Sequence, residues 1–160
     1  MAVSMRHTNP DWTEAFMTRL KGCTDQEIAV GYPRGESGSG NAHYENGASI
    51  LEVAVWNNDG AADGVPERAF MELAAKLIKP EARKMLLEAM PKVLAGEMSM
   101  DQLQTRLGLM GEDKIREAIN EGAWAPNSPV TIRRKKSSKP LIDKGDMRQL
   151  ATHAKRKRTK

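Results

Sequence analysis

Aromatic side chains are scarce in this sequence. Phe, Trp and Tyr make up 4% of the 160 residues, so the core cannot rest on stacked rings and must use Leu, Ile, Val, Ala and ten Met, whose thioethers pack adaptably. A single cysteine, Cys23, excludes an internal disulfide framework and fits a chain built in a reducing compartment. With no Cys/His pair near it in sequence, it reads as a small core residue rather than a nucleophile. Neither a secretory signal nor an apolar run long enough to span a bilayer is visible, so a soluble protein with no membrane contact is expected.

Histidine is nearly as rare. His7, His43 and His153 fall in a leader, a Gly-rich loop and a basic tail. They show no ligand spacing and no carboxylate partner, so each is expected to be solvated, and no metal or cofactor is expected. Asp143 and Asp146 resemble a carboxylate pair, but Lys144 and Arg148 beside them point to ion pairing or turn capping. No catalytic constellation remains, and an enzyme is not expected.

What is present is charge, unevenly placed. The net charge of +4 conceals 13 Lys/Arg against 19 Asp/Glu in residues 1–130 and 12 against 2 in residues 131–160. An acidic body (−6) therefore carries a basic terminus (+10). Like-charge terminal blocks are solvated until an oppositely charged partner orders them. The length fits one domain.

The pattern along the chain is mainly helical. "TNPDWTEAFMTRLKG" has Thr8 or Asn9 to cap, Pro10 in the first turn, Trp12, Phe16 and Leu20 at spacing four, and Gly22 to end it. "QEIAVGY" alternates Ile28, Val30 and Tyr32 as a short strand. "PRGESGSGN" is a flexible loop, since no Gly-Lys-Ser/Thr follows its glycines. "ASILEVAVWNNDGA" reads as a helix closed by a turn, although its β-branched residues also allow a strand. A further helix through "AFMELAAKLI" is expected to stop before Pro80, and another over 81–95 to kink or end early at Pro91. "SMDQLQTRLGLMGEDKIREAINEG" is capped by Ser99, carries Leu103, Leu107, Met110, Ile115, Ala118 and Ile119 on one face and stops at Gly122. Ser128 and Pro129 start a short helix whose end is surrounded by Arg133, Arg134, Lys135 and Lys136. Cations there complement the helix dipole by about 0.3–1 kcal/mol each.

The order "IAVGY", "VAVWNNDGA", "VPERAF" and "GAWAPNSPVTIRRKKSSKPLIDKGDMRQ" resembles the virion morphogenesis family, the tail-completion and neck proteins of tailed bacteriophages. The resemblance covers most of residues 26–150 and is densest from Trp124 to Gly145. Three departures stand out. Asn57-Asn58-Asp59-Gly60 replaces the family's Asn-Glu-Phe-Gly, Ala69 replaces a proline, and Lys144 replaces a threonine. Where the family has a Ser-Ile-Thr strand the chain has "LATHAKRKRTK", so that strand is expected to be missing or replaced by the tail.

The resemblance implies a virion protein made in the host cytoplasm and working as a homo-oligomeric ring, hexameric or dodecameric, at the junction of head and tail. Its partners there would be other neck, portal-side or tail proteins, with non-specific DNA contact in the lumen. The expected fold is a helix-rich α+β domain over 1–150, with a small sheet seeded by 26–32 and a basic extension over 151–160. The inter-subunit and structural element would comprise Trp124, Pro126, Ser128, Pro129, Arg133, Arg134, Pro140, Leu141, Asp143 and Gly145. Trp124 should anchor its loop by burial, and Arg133 or Arg134 could make bidentate pairs across a subunit boundary. The basic tail, Lys155, Arg156, Lys157, Arg158 and Lys160, would lie on the acidic body of the next copy. The alternative is DNA binding by the same basic segment, which would be strongly salt-dependent. Stacking on single strands is not expected without aromatics in the run. A helix-turn-helix over 113–136 would need a turn holding Trp124, Pro126 and Pro129, longer than that motif tolerates.

Overall fold

The computed structural model describes residues 10–35, 38–62, 64–135 and 137–158. The expected caps Thr8 and Asn9, together with His7, Lys136 and Lys160, lie outside the described residues, as does the side chain of Trp12. In chain order the elements are α1 (Pro10–Thr24), β1 (Gln26–Gly31), α2 (Ile50–Asp59), α3 (Phe70–Ala95), α4 (Met100–Glu121), α5 (Pro129–Lys135), α6 (Asp146–Gln149) and β2 (Thr152–Lys157). A 3-10 turn lies at Ser39–Asn41. The architecture is α+β and helix-rich, with one small antiparallel sheet, as expected. No helix among the described residues is long and apolar enough to cross a membrane.

Local chemistry explains the helix starts. Ser49 Oγ accepts from Glu52 N at 3.1 Å while Glu52 Oε2 accepts from Ser49 N at 3.2 Å. This reciprocal cap resolves the helix-or-strand ambiguity of the next ten residues in favour of α2. Ser99 and Gln102 form the same box at the start of α4. The long helix α3 differs from expectation, because it runs through Pro80 and Pro91 without a break. Each proline removes a bond to the carbonyl four residues back, at Lys76 and Leu87. Those two positions and both prolines are exposed, so water can take the freed carbonyls, and strong helix formers on either side carry the helix on. It ends at Gly96, whose φ of 84° closes the last turn.

Most of the core lies where α2, α3 and α4 meet the 141–151 segment. Phe70, Ile50, Ile115, Ile119, Leu141 and Met147 are buried together there. A smaller cluster of Ala89, Val93 and Leu103 joins α3 to α4, with Cys23 packed against it. Burial raises the Cys23 thiol above its ordinary value, consistent with a packing role.

The basic terminus is the second difference. Residues 152–157, expected within a solvated extension starting at 151, form β2 and pair with β1 from Gln26↔Lys157 to Gly31↔Thr152. The basic segment therefore supplies the partner strand of β1. Two glycines of α4 let the sheet lie close. A Cβ on Gly108 would sit 2.2 Å from His153 Cδ2, and one on Gly111 would sit 2.9 Å from Val30 Cγ1. The folded body thus extends beyond 150.

Candidate functional site

The turn after α2 and the entry to α3 fix one buried cation. Arg68 N donates to Asn57 O at 2.9 Å, and Phe70, fully buried two residues on, pins the chain so that the Arg68 side chain points inward. Only 4% of Arg68 is exposed. Its Nε donates to Ala125 O at 2.9 Å, Nη1 to Asn57 Oδ1 at 3.0 Å and Nη2 to Asn127 Oδ1 at 3.2 Å, with Pro126 O at 3.5 Å. Every one of these acceptors is neutral. Desolvation accordingly lowers the guanidinium below its usual value. Around it, Asn127 Nδ2 donates to Lys139 O at 3.1 Å, and Asn58 receives Met71 N at 3.0 Å while donating to Glu72 Oε1 at 3.1 Å. Arg68 therefore ties the end of α2, the start of α3 and the loop after α4 into one unit.

Beside this unit opens a cleft of about 740 Å³ between α2, α5 and the 141–147 segment. Trp56, which is 47% exposed, forms part of one wall. Arg134 and Lys135 line the cleft as well, and desolvation lowers Lys135 against the pull of Asp143, with Arg68 and Arg134 adding to the lowering. Tyr44, also in the lining, has its phenol pushed up to about 12 by burial, with Asp146 and Asp143 contributing. The cleft is thus mixed in polarity and large enough for a few side chains of a partner. A second groove of about 650 Å³ runs along α3 at Pro80 and Leu87, rimmed by Lys76, Lys79, Arg83 and Lys84. Glu88 completes its lining.

Several residues singled out by sequence meet at the first cleft. Pro126, Ser128, Pro129, Arg134, Leu141, Asp143 and Gly145 line it. Ser128 Oγ caps α5, accepting from Thr131 N at 3.2 Å. Leu141 is buried with φ at +60°, a left-handed conformation that costs a non-glycine residue about 1–2 kcal/mol. Gly145, at φ +90°, starts α6. Trp124 lies one step away, half-buried, donating its indole N–H to Ala118 O at 3.1 Å over the glycine at 122. Pro140 lies in the turn leading to Leu141. Arg133 points outward from the last turn of α5 and, like Arg134, makes no ion pair among the described residues. The pairing expected around Asp143 and Asp146 is made with other groups. Lys144 Nζ meets Glu45 Oε1 at 2.6 Å, and Arg148 Nη1 donates to Asn120 Oδ1 at 3.2 Å.

A second polar cluster overturns the expectation for His153. Its Nδ1 lies 2.7 Å from Glu112 Oε1, which also receives Thr152 Oγ1 at 3.2 Å. Arg116 Nη2 meets Glu112 Oε2 at 2.9 Å and reaches Ala151 O at 3.1 Å. Burial alone would raise the Glu112 carboxyl, but bonds from His153, Arg116 and Thr152 outweigh it and hold the group below its ordinary value. The carboxylate is therefore an acceptor only, and His153 Nδ1–H is the donor. His153 is a clamp between β2 and α4. Lys155, two residues on and on the same face of β2, pairs with Asp101 on the same helix.

Sequence reasoning passed over Arg68, Asn57, Asn127 and Glu112. A usable signal existed for Glu112. Gln104, Gly108, Gly111 and Glu112 share the helical stripe of Leu103 and Ile115, and small or polar residues on a core-facing stripe mark a close neighbour with hydrogen-bonding groups. Arg68 gave no such signal, because its acceptors come from two separate segments, the end of α2 and the 125–127 loop. Comparison of the chain with protein-family models, with curated proteins and with solved structures finds no match in any of the three.

Proposed function

We propose that this chain is a structural virion protein of a tailed bacteriophage, assembling into a homo-oligomeric ring at the head–tail junction and joining tail to head without catalysing a reaction. One observation carries the reading. Three of the segments on which the resemblance rests, "WNN", "VPERAF" and "WAPN", are far apart in sequence, yet they supply the donors and acceptors of one buried guanidinium at Arg68. Motifs shared by chance in order alone have no reason to converge on one side chain. The short helix α5 also suits an assembly contact. None of its residues is buried, Val130 is 67% exposed, and Arg133 and Arg134 stand beside it. An apolar tip with planar cations is the composition of an interface anchor. The test is mass spectrometry of purified particles, together with electron microscopy of particles assembled without this chain. The expected result is the chain in mature virions and, in its absence, separate full heads and tails. Normal virions lacking the chain would overturn the reading.

A second reading, DNA contact, has its own support in Arg156, Lys157 and Arg158, which are exposed and make no ion pair among the described residues. A gel shift repeated at rising salt separates the two, since phosphate contacts weaken steeply as counterions compete.

A further inference from the structure

Among the described residues the sheet has two strands, and hydrogen-bond parity shows what its edges offer. Arg158 N donates to Asp25 O at 3.0 Å, so residues 25 and 158 form a hydrogen-bonded pair. Hydrogen-bonded pairs alternate along an antiparallel ladder, which makes Glu27↔Arg156 and Ala29↔Ala154 the inward pairs. Gln26, Ile28 and Val30 then turn their backbone N–H and C=O groups to the outer edge of β1, and His153, Lys155 and Lys157 turn theirs to the outer edge of β2. No hydrogen bond among the described residues uses these outward groups. Two open edges on a two-stranded sheet are a template for further strands.

We infer that copies of the chain join edge to edge, β1 of one copy pairing antiparallel with β2 of the next. Charge selects this arrangement over its rivals. Asp25 and Glu27 are exposed on or beside β1, and Arg156, Lys157 and Arg158 are exposed on or beside β2. A two-fold β2–β2 pairing would set cations opposite cations, which is destabilising, whereas β1 on β2 sets acids against cations. The resulting contact is head-to-tail, and a rotation about an axis along the strands repeats it and closes a ring. This inference rests on the ring reading above and specifies its interface.

The test uses the full chain and native mass spectrometry with sedimentation velocity. Lys157→Pro removes an outward N–H while leaving the inward ladder intact, and it is expected to lower the assembled fraction about ten-fold. Glu27→Lys and Arg156→Glu are each expected to do the same alone. Mixing those two variants is expected to restore assembly with the two alternating in equal numbers, because both junctions of an alternating ring are then complementary. This mixing result also guards against misfolding, since the unfavourable pairing within each chain is unchanged by the mixing. Wild-type chains that stay monomeric, or variants that assemble as well as wild type, would overturn the inference and leave the edges to another occupant. Absence of the chain from virions would instead sink the neck reading while leaving edge pairing standing.

Discussion

A buried guanidinium with four carbonyl or amide oxygens around it is sensitive to geometry as well as to charge. Arg68→Lys keeps the charge but loses the planar fork, and leaves Asn57 Oδ1, Ala125 O or Asn127 Oδ1 without a donor. Each buried orphan costs about 1–3 kcal/mol, so this substitution is expected to destabilise the fold by about 2–4 kcal/mol in urea denaturation. Glu112 gives a pH-dependent counterpart. Its carboxyl lies below the ordinary range in the folded state, so its contribution is fully present above the unfolded value of about 4.3 and is lost as pH falls through the folded value. Glu112→Gln is expected to lower stability at pH 7 by about 1–3 kcal/mol and to flatten the decline of stability between pH 5 and pH 2, followed by thermal melts across that range. Arg68 and His153 were not legible beforehand in their true roles. Arg68 stood in the sequence as one basic residue of "VPERAF", and His153 as a solvated residue of a basic tail, because most of the partners that define them lie dozens of residues away.

The elements were far more legible, since periodicity and caps are local. α4 could be placed from Ser99 to Gly122, α5 from Ser128 and Pro129, and β1 from its alternation. What the pattern could not supply was the effect of neighbours on weak signals. Two exposed prolines read as boundaries, yet packing against α4 and solvent at the freed carbonyls keep α3 whole. Cations in a row read as a tail, yet Gly108 and Gly111 offer them a seat on a helix. That seat can be tested with paired substitutions. Gly22→Ala adds a methyl with nothing within 4 Å and is expected to stabilise α1 by about 0.5–1 kcal/mol. Gly108→Ala gains the same propensity but drives a methyl into the His153 ring, which Glu112 holds in place. Net destabilisation is expected, with faster amide exchange confined first to β2.

For the molecule as a whole, the charge split of −6 and +10 was visible at once, but its structural meaning was not. Part of the positive charge is built into the sheet, so removing residues 152–160 should do more than weaken assembly. A chain ending at Ala151 is expected to melt about 5 °C or more below the full chain, because β1 loses its only partner strand among the described residues and α4 is uncovered at Gly108, where His153 packs. A merely appended tail would leave the melt unchanged. The pairing of β1 with β2 also sets a constraint on how the chain is made. Residues 26–31 leave the ribosome roughly 120 positions before 152–157, and contacts of such long range form slowly. During that interval α3 and α4 can pack locally while the first strand waits with bare amides. Nascent chains stalled before codon 152 should therefore bind chaperones, and completed synthesis, rather than helix formation, should be the event that releases them.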